Sequence, residues 1–300
     1  MRESCEINHA WTRSVEAAGR LAFPRGCSGR LWPVVGLGLA LAAFTASAEE
    51  DGLTRVQRYP AASARQGVAV DAEYFYAIGN HWIEKYERSS GRKVAEWKGE
   101  AGGAIVHLNS GVFVDGELWC AHSNYPGIPM TSSLERFDPE TLEHTGSHSL
   151  GIQQGSATWV DRHDGAWWVA FAHYGALGGG GKPGGEAGKG PEWTSLVRFD
   201  DAWRRTAGWV FPLDLVRKFA PSSNSGGLFA HDGTIWVTGH DAAEIYVLRL
   251  PEAGSVLEWI ATRAAPIAGQ GIARDPVEER ALWGIVKKSR EVVHMRLPEG

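Results

Sequence analysis

Three histidines follow closely on short apolar runs that have the composition of β-strands. They occur in "LWCAHSN" with His122, in "VAFAHYG" with His173 and in "VTGHDAAEIYVLRL" with His240, which precedes Asp241. Neutral imidazoles bind zinc or iron, and an imidazole beside a carboxylate can transfer protons near neutral pH. The candidate catalytic residues are therefore His122, His173, His240 and Asp241, and the same three histidines are candidate ligands of a divalent metal.

The chain around these histidines repeats one pattern five times. Each copy has a glycine, a short apolar strand, an aspartate, an apolar–aromatic pair and a third strand. The glycines are spaced 44, 44, 72 and 44 residues apart, at Gly67, Gly111, Gly155, Gly227 and Gly271. A fourth strand follows in the first four copies, and four strands per 40–45 residues are typical of a propeller blade. The sequence predicts an all-β fold, a five-bladed β-propeller, with a β-sandwich as the alternative.

The fifth copy stops after its third strand, and a fourth strand is available at the other end of the chain. We expect residues 53–60, "LTRVQRYP", to complete the last blade and close the ring, which removes two exposed sheet edges. The blades are predicted near residues 67–99, 111–150, 155–212, 227–262 and 271–299. The repeated aspartates are interpreted as turn formers at the opposite face; they are Asp71, Asp115, Asp161, Asp232 and Asp275.

The third copy contains 28 more residues than the others. Residues 174–192 are too rich in glycine for a regular structure and predict a flexible loop, either a neutral insertion or a lid over a site. Residues 212–220, "PLDLVRKFA", begin with proline and have helical spacing, so they predict a short helix that leads into the fourth blade.

Blade geometry brings the candidate residues together. The first strand of a blade begins at the face where the second strand ends, so residues at these two positions converge around one mouth of the central channel. We expect substrate contacts from Gln66, Asn109, Gln154, Asn224, Gln270 and Lys287. The alternative is that these side chains and the histidines only brace neighbouring blades, as buried polar groups often do.

Three chemistries are compatible with such a mouth. The first is a divalent metal, zinc or iron, held by His122, His173 and His240. The second is metal-free acid–base catalysis by His240, with Lys287 near an anionic substrate. The third is binding of a small molecule or carbohydrate by amides and hydroxyls, with Tyr125 and Tyr174 stacking on a sugar. A glycosidase needs two facing carboxylates, and the mouth offers chiefly Asp241.

The first 48 residues have the composition of a secretory signal peptide. An apolar run from Leu31 to Phe44 precedes the triplet Ala46-Ser47-Ala48, which predicts cleavage after residue 48. The run is shorter than the roughly 20 residues of a spanning helix, and a retained membrane-anchoring helix is the alternative. Because the leader is long before its apolar core, we expect the true start codon to lie downstream of Met1.

The mature chain, residues 49–300, is expected to be a single propeller domain and a monomer in the periplasm or outside the cell. Membrane contact is expected only through the leader. The whole chain has a net charge of −5, and the leader carries five Arg and three Glu, so the mature charge is about −7. An acidic chain without a basic run argues against a nucleic-acid partner. Cys120 is the one cysteine after residue 48, which excludes an intrachain disulfide.

Several stretches of the sequence resemble those of known proteins. The stretches "RQGVAVD", "HLNSGVFVDGELWCAHSNYPGIPM" and "GQGIARD" resemble a group of secreted bacterial β-propeller proteins, some of which are labelled cycloisomerase. The resemblance covers residues 56–298, and the label implies an intramolecular ring-forming reaction. The function that we favour is a small-molecule enzyme of the cycloisomerase or lactonase type. A non-catalytic module that binds a glycan or a protein is the competing interpretation. In architecture alone the chain is also similar to the five-bladed glutamine cyclotransferases.

Overall fold

The five sequence repeats fold into five four-stranded antiparallel sheets, the blades of a β-propeller. The structure is a computed structural model that describes residues 52–152, 154–175, 185 and 188–298. The predicted signal peptide and most of the predicted glycine-rich loop lie outside the described residues. The prediction of an all-β, five-bladed propeller is confirmed, and the β-sandwich alternative is wrong.

Each blade takes its strands from one stretch of the chain, except the last. The strands are β1 (Thr54–Pro60); β2 (Gly67–Val70), β3 (Tyr74–Gly79), β4 (Trp82–Glu87) and β5 (Lys93–Lys98) in blade 1; β6 (Leu108–Val114), β7 (Glu117–Ser123), β8 (Ser132–Phe137) and β9 (His144–Gly151) in blade 2; β10 (Ser156–His163), β11 (Ala166–Ala172), β12 (Ser195–Phe199) and β13 (Arg205–Val210) in blade 3; β14 (Gly226–Phe229), β15 (Ile235–Thr238), β16 (Glu244–Arg249) and β17 (Glu258–Ala264) in blade 4; and β18 (Ala273–Arg274), β19 (Ala281–Val286) and β20 (Glu291–Arg296) in blade 5.

The N-terminal strand closes the ring. The fifth sheet has the order β1-β20-β19-β18, and β1 pairs antiparallel with β20 from Thr54 opposite Arg296 to Pro60 opposite Glu291. The innermost strands β2, β6, β10, β14 and β18 each contact the next around the channel. The prediction that the first strand completes the last blade is therefore confirmed.

Burial decreases from the channel outward. All seven residues of β11 are buried, and most of β3 and β16 is buried as well, because both faces of these strands lie against neighbouring blades. The outermost strands β9 and β1 are mostly exposed. This arrangement explains why inner strands such as β11 and β3 are nearly continuous apolar runs, whereas β9 and β1 are mostly polar.

Five apolar clusters hold the ring together, one between each pair of adjacent blades. Between blades 5 and 1, Tyr59 lies 4.8 Å from Phe75 and 5.7 Å from Trp283, measured between ring centroids. The other large buried side chains include Trp159 and Tyr246, which both belong to the cluster between blades 3 and 4. Trp159 and Trp283 therefore contribute to the packing between blades.

Two of the tight turns between first and second strands consist of an Asp-Gly pair. Asp115 and Gly116 have φ angles of 51° and 82°, and Asp164 and Gly165 have φ angles of 47° and 67°. Two successive positive φ angles define the type I′ turn that matches the twist of a hairpin, and Asp-Gly is favoured there.

Two of the repeated aspartates do more than form turns. Asp161 is buried within β10, forms a 2.9 Å ion pair with Arg274 and accepts a hydrogen bond from the Phe229 N–H, so it links blades 3, 4 and 5. Asp275 accepts hydrogen bonds from the Trp283 indole and from Arg88 of blade 1. The turn-forming interpretation is therefore wrong for Asp161, whereas Asp275 also accepts hydrogen bonds from the Val277 and Glu278 N–H groups, as a turn former does. A buried carboxylate requires such partners.

One α-helix and one turn of 3-10 helix complete the described structure. The predicted helix is present as α1 (Leu213–Phe219), which buries Leu215, Val216 and Phe219 against the cluster between blades 3 and 4. The 3-10 turn spans Pro191–Trp193. None of the described helices has the length and hydropathy of a membrane span.

Tyr59→Ala should destabilise the ring at its closure. Tyr59 is 6% exposed, and truncation of a buried aromatic side chain costs about 3 kcal/mol, so the urea midpoint of unfolding should fall markedly. Val56→Ala in the same strand is the control: Val56 is 47% exposed and its truncation should cost less than about 0.5 kcal/mol. Equal effects of the two substitutions would contradict the assignment of β1 as the closing strand.

Candidate functional site

A cavity of about 320 Å³, here called the mouth cavity, opens where the first strands begin and the second strands end. All five blades contribute to its lining. The lining residues are Gln66, Asn80, His107, Asn109, Tyr125, Thr158, Tyr174, Ser222, Ser225, His240, Gln270 and Lys287. The residues of this lining that were singled out from the sequence are Gln66, Asn109, Tyr125, Tyr174, His240, Gln270 and Lys287.

The His240 ring lies between the acidic side chain of Asp241 and the basic side chain of Lys287. Its Nδ1 lies 2.6 Å from the Asp241 Oδ2, and its Nε2 lies 3.3 Å from the Lys287 Nζ. The carboxylate of Asp241 can only accept, so Nδ1 carries the proton, and Nε2 accepts from the Lys287 ammonium. The tautomer of His240 is thereby fixed with the lone pair of Nε2 on the side of Lys287.

The backbone at the start of blade 5 sets the position of His240. Gly269 and Gln270 have φ angles of 60° and 67°. Their N–H groups donate to the carbonyls of Ala242 and Gly239, and the Gln270 Nε2 donates to the His240 carbonyl at 3.0 Å. A Cβ at residue 269 would lie 2.4 Å from the His240 carbonyl carbon, so only glycine fits this contact.

An aromatic wall lies on another side of the cavity. The His107 ring is 5.2 Å from the Tyr125 ring, which is 5.0 Å from the Tyr174 ring. Burial, reinforced by His122 and Lys287 nearby, lowers the pKa of His107 from 6.5 to about 4. His107 is therefore neutral at neutral pH, and burial also raises the pKa of Tyr174 well above its usual value.

His122 lies beside the cavity and braces blade 2. Its Nε2 accepts a hydrogen bond from the Val106 N–H at 3.1 Å, so the protonated Nδ1 donates to the Ser133 Oγ at 2.8 Å. Ser133 in turn donates to the buried carboxylate of Glu135. Burial lowers the pKa of His122. Both ring nitrogens of this predicted catalytic residue are thus engaged by blade 2 itself.

His173 and Gln154 meet through the backbone of blade 3. The His173 side chain is buried, and its Nε2 donates to the Gln154 carbonyl at 3.0 Å. A Cβ at Gly155 would lie 2.6 Å from this nitrogen, so the ring fills the space above the glycine. His173 and Gln154 are outside the lining of the mouth cavity.

Asn224 is also a brace. It is fully buried, its Oδ1 accepts a hydrogen bond from the Trp159 indole at 2.8 Å, and its Nδ2 donates to the carbonyls of Gly226 and Thr238. Its amide therefore connects blades 3 and 4, and it does not reach the mouth cavity.

The predicted metal set is not assembled in the described structure. The ring nitrogens of His122, His173 and His240 do not form a group within 4.8 Å of one another. In the described part of the chain one group meets this distance, and its members are Asp275, Glu278 and His294. Arg88 and Arg296 form ion pairs with its two carboxylates, so that group is already charge-compensated by protein cations.

Cys120 is a packing residue. It is fully buried in the cluster between blades 1 and 2, and burial together with the Glu135 carboxylate raises the pKa of its thiol. A thiol that stays protonated is a poor nucleophile. This geometry favours the interpretation of Cys120 as a buried small residue.

Thr158 and Ser222 are lining residues that the sequence pattern does not single out. Thr158 reaches the channel because the pairing of β10 with β11 shifts between Ala157 and Trp159, and such a bulge redirects a side chain. Ser222 follows α1, where its N–H bonds to the Phe219 carbonyl. The polar run "SSNS" before β14 signals that residues enter the mouth, but it does not show which of them do so.

Comparison with known proteins gives likeness in structure but not in sequence. No protein-family model matches the sequence, and no curated protein matches it either. Similar solved structures include a gluconolactonase from Xanthomonas campestris (11% identity, 77% of this chain and 71% of that chain, TM-score 0.46). A second is the PQQ-bound aldose sugar dehydrogenase from Streptomyces coelicolor (10% identity, 82% of this chain and 98% of that chain, TM-score 0.46). A third is virginiamycin B lyase from Staphylococcus aureus (12% identity, 83% of this chain and 100% of that chain, TM-score 0.46).

Acid should destabilise the protein through His107. Because its folded pKa of about 4 is below the unfolded value of 6.5, the unfolded chain binds the proton first, and stability is lost as the pH falls from about 6.5 towards 4. His107→Gln should remove up to about 3 kcal/mol of this loss, as measured by urea unfolding across that pH range. His81→Gln, at an exposed position, is the control. Identical pH dependence in both variants would contradict the assignment.

Proposed function

We propose that the protein is a small-molecule enzyme of the cycloisomerase or lactonase type, in which His240 transfers protons within the mouth cavity. The observation that carries this proposal is the position of the His240 imidazole, which lines the cavity between the Asp241 carboxylate and the Lys287 ammonium. A positioned general acid–base group contributes about 10²–10⁴-fold to a reaction rate.

For a lactone, the proposed steps balance without a cofactor. Water attacks the carbonyl carbon while the His240 Nε2 accepts a proton from it, and the Lys287 ammonium stabilises the developing oxyanion. The ring C–O bond then breaks, and the ring oxygen takes the proton back from the imidazolium. In the cycloisomerase case an internal carboxylate adds across a C=C bond: the C–O bond forms, the π bond breaks, and His240 delivers to carbon a proton that it regains from solvent.

The remaining lining supplies the contacts that hold a substrate. Gln66, Asn109 and Gln270 present amide groups to the cavity from three different blades. Hydrogen bonds from fixed amides orient a substrate at small cost because the amides are already held by the protein. Gln154, which the sequence placed with them, acts here through its backbone carbonyl on His173.

A second candidate function is binding without catalysis. The wall formed by Tyr125, Tyr174 and His107 offers ring faces beside polar side chains, an arrangement that suits a sugar or another flat polar ligand. In that case substitution of His240 would change the affinity for the ligand, and no turnover would be found.

Substitution of His240 should abolish most turnover. The assay is a panel of lactones with a pH indicator, since each hydrolysis releases a proton. We expect His240→Gln to lower kcat by about 10²-fold or more. Asp241→Asn should lower it by less than about tenfold, because the Asp241 side chain is 83% exposed and its field is screened by solvent.

The control for this experiment is His81→Gln, which replaces an exposed histidine after the second strand of blade 1. It should leave kcat unchanged. Full turnover in His240→Gln would overturn the catalytic role of His240, and the absence of turnover in the unsubstituted protein, with ligand binding retained, would favour the binding module.

A further inference from the structure

The lining of the mouth cavity carries one permanent positive charge. Lys287 brings an ammonium to the cavity, and no carboxylate lies among the described lining residues. His107 adds no charge at neutral pH because its pKa is about 4. The volume of about 320 Å³ is at the lower end of the range of small-molecule sites. The cavity therefore suits a small ligand with a negative charge.

The Lys287 ammonium is also hydrogen-bonded to His240, the proposed base. The Lys287 Nζ lies 3.3 Å from the His240 Nε2, whose lone pair accepts its hydrogen bond. While this contact lasts, Nε2 cannot accept a proton from water or substrate. The Lys287 side chain has a flexible four-carbon stem and is only partly buried. A stronger hydrogen-bond acceptor in the cavity can therefore draw its ammonium away from the His240 Nε2.

Two amide oxygens of the cavity are left as acceptors. The Gln270 Nε2 donates to the His240 carbonyl, and the Asn109 Nδ2 donates to the Ala157 carbonyl at 2.7 Å. Because carbonyls only accept, both amide orientations are fixed. Within the described residues no hydrogen bond reaches the Gln270 Oε1 or the Asn109 Oδ1. Oxygens with this role bind ligand groups that donate, such as hydroxyls.

We infer that the ligand of the mouth cavity is a small hydroxylated carboxylate whose carboxylate takes the Lys287 ammonium from His240. The hydroxyls donate to the amide oxygens of Gln270 and Asn109. Where it concerns the base, this inference rests on the proposed function of His240. It makes Lys287 the residue that selects charged ligands, since an uncharged analogue leaves the ammonium on Nε2 until an oxyanion develops during the reaction.

The test compares three probes of equal chain length with the full chain: threonate, which has hydroxyls and a charge, threonamide, which has hydroxyls alone, and butyrate, which has a charge alone. Binding is measured by calorimetry, and the ring nitrogens of His240 are followed by NMR in protein with ¹⁵N-labelled histidine, assigned by signal loss in His240→Gln. We expect threonate to bind at least about tenfold more tightly than either other probe. At saturation the two carboxylates should shift the Nε2 signal of His240, and threonamide should not.

Lys287→Met should remove the preference for threonate over threonamide, whereas Lys288→Met, at the exposed neighbouring position, should keep it. Equal binding of threonate and threonamide by the unsubstituted protein would overturn the inference without any variant. If the probes behave as expected while His240→Gln retains full turnover, the ligand class stands and the proposed enzyme fails. If turnover needs His240 but threonamide binds as well as threonate, the enzyme stands and the ligand class fails.

Discussion

Burial of both faces of every inner sheet is the constraint on which this structure depends. A sheet with two apolar faces cannot remain in contact with water, and in this chain each face is covered by the next blade, so five apolar clusters alternate with five sheets. A row of blades would leave two faces and two edges uncovered. Pairing of β1 with β20 covers them by joining the two ends of the described chain.

The ring of blades also determines where buried polar groups find hydrogen-bond partners. Hydroxyl pairs connect neighbouring blades near the mouth: the Ser123 Oγ lies 2.8 Å from the Ser156 Oγ, and the Thr194 Oγ1 lies 2.6 Å from the Ser223 Oγ. Thr238 donates to the Gln270 carbonyl in the same way. Such bonds offset the cost of burying polar groups between blades. Polar side chains at the strand ends therefore divide into those that brace blades and those that face the cavity.

The repeat period was enough to predict the five blades, the closing strand and the end of the channel where polar residues gather. It could not show which of His122, His173 and His240 faces the cavity. His122 lies within β7, where successive side chains alternate between the two faces of the sheet, so its side chain points to one buried face. His240 comes two residues after β15 ends, where this alternation no longer applies. The bulge that directs Thr158 to the mouth cavity depends on how β10 pairs with β11, and the sequence around Thr158 does not indicate it.

The contact between blades 4 and 5 sets the positions of His240 and Lys287. The positive φ angles of Gly269 and Gln270 turn the chain into the last blade, and the N–H groups of that turn hold the loop that carries His240. Lys287 follows β19 of the same last blade. The distance between the His240 Nε2 and the Lys287 Nζ is therefore set by how blade 5 packs on blade 4. Because blade 5 is completed by β1, closure of the ring and alignment of the site are parts of one structural requirement.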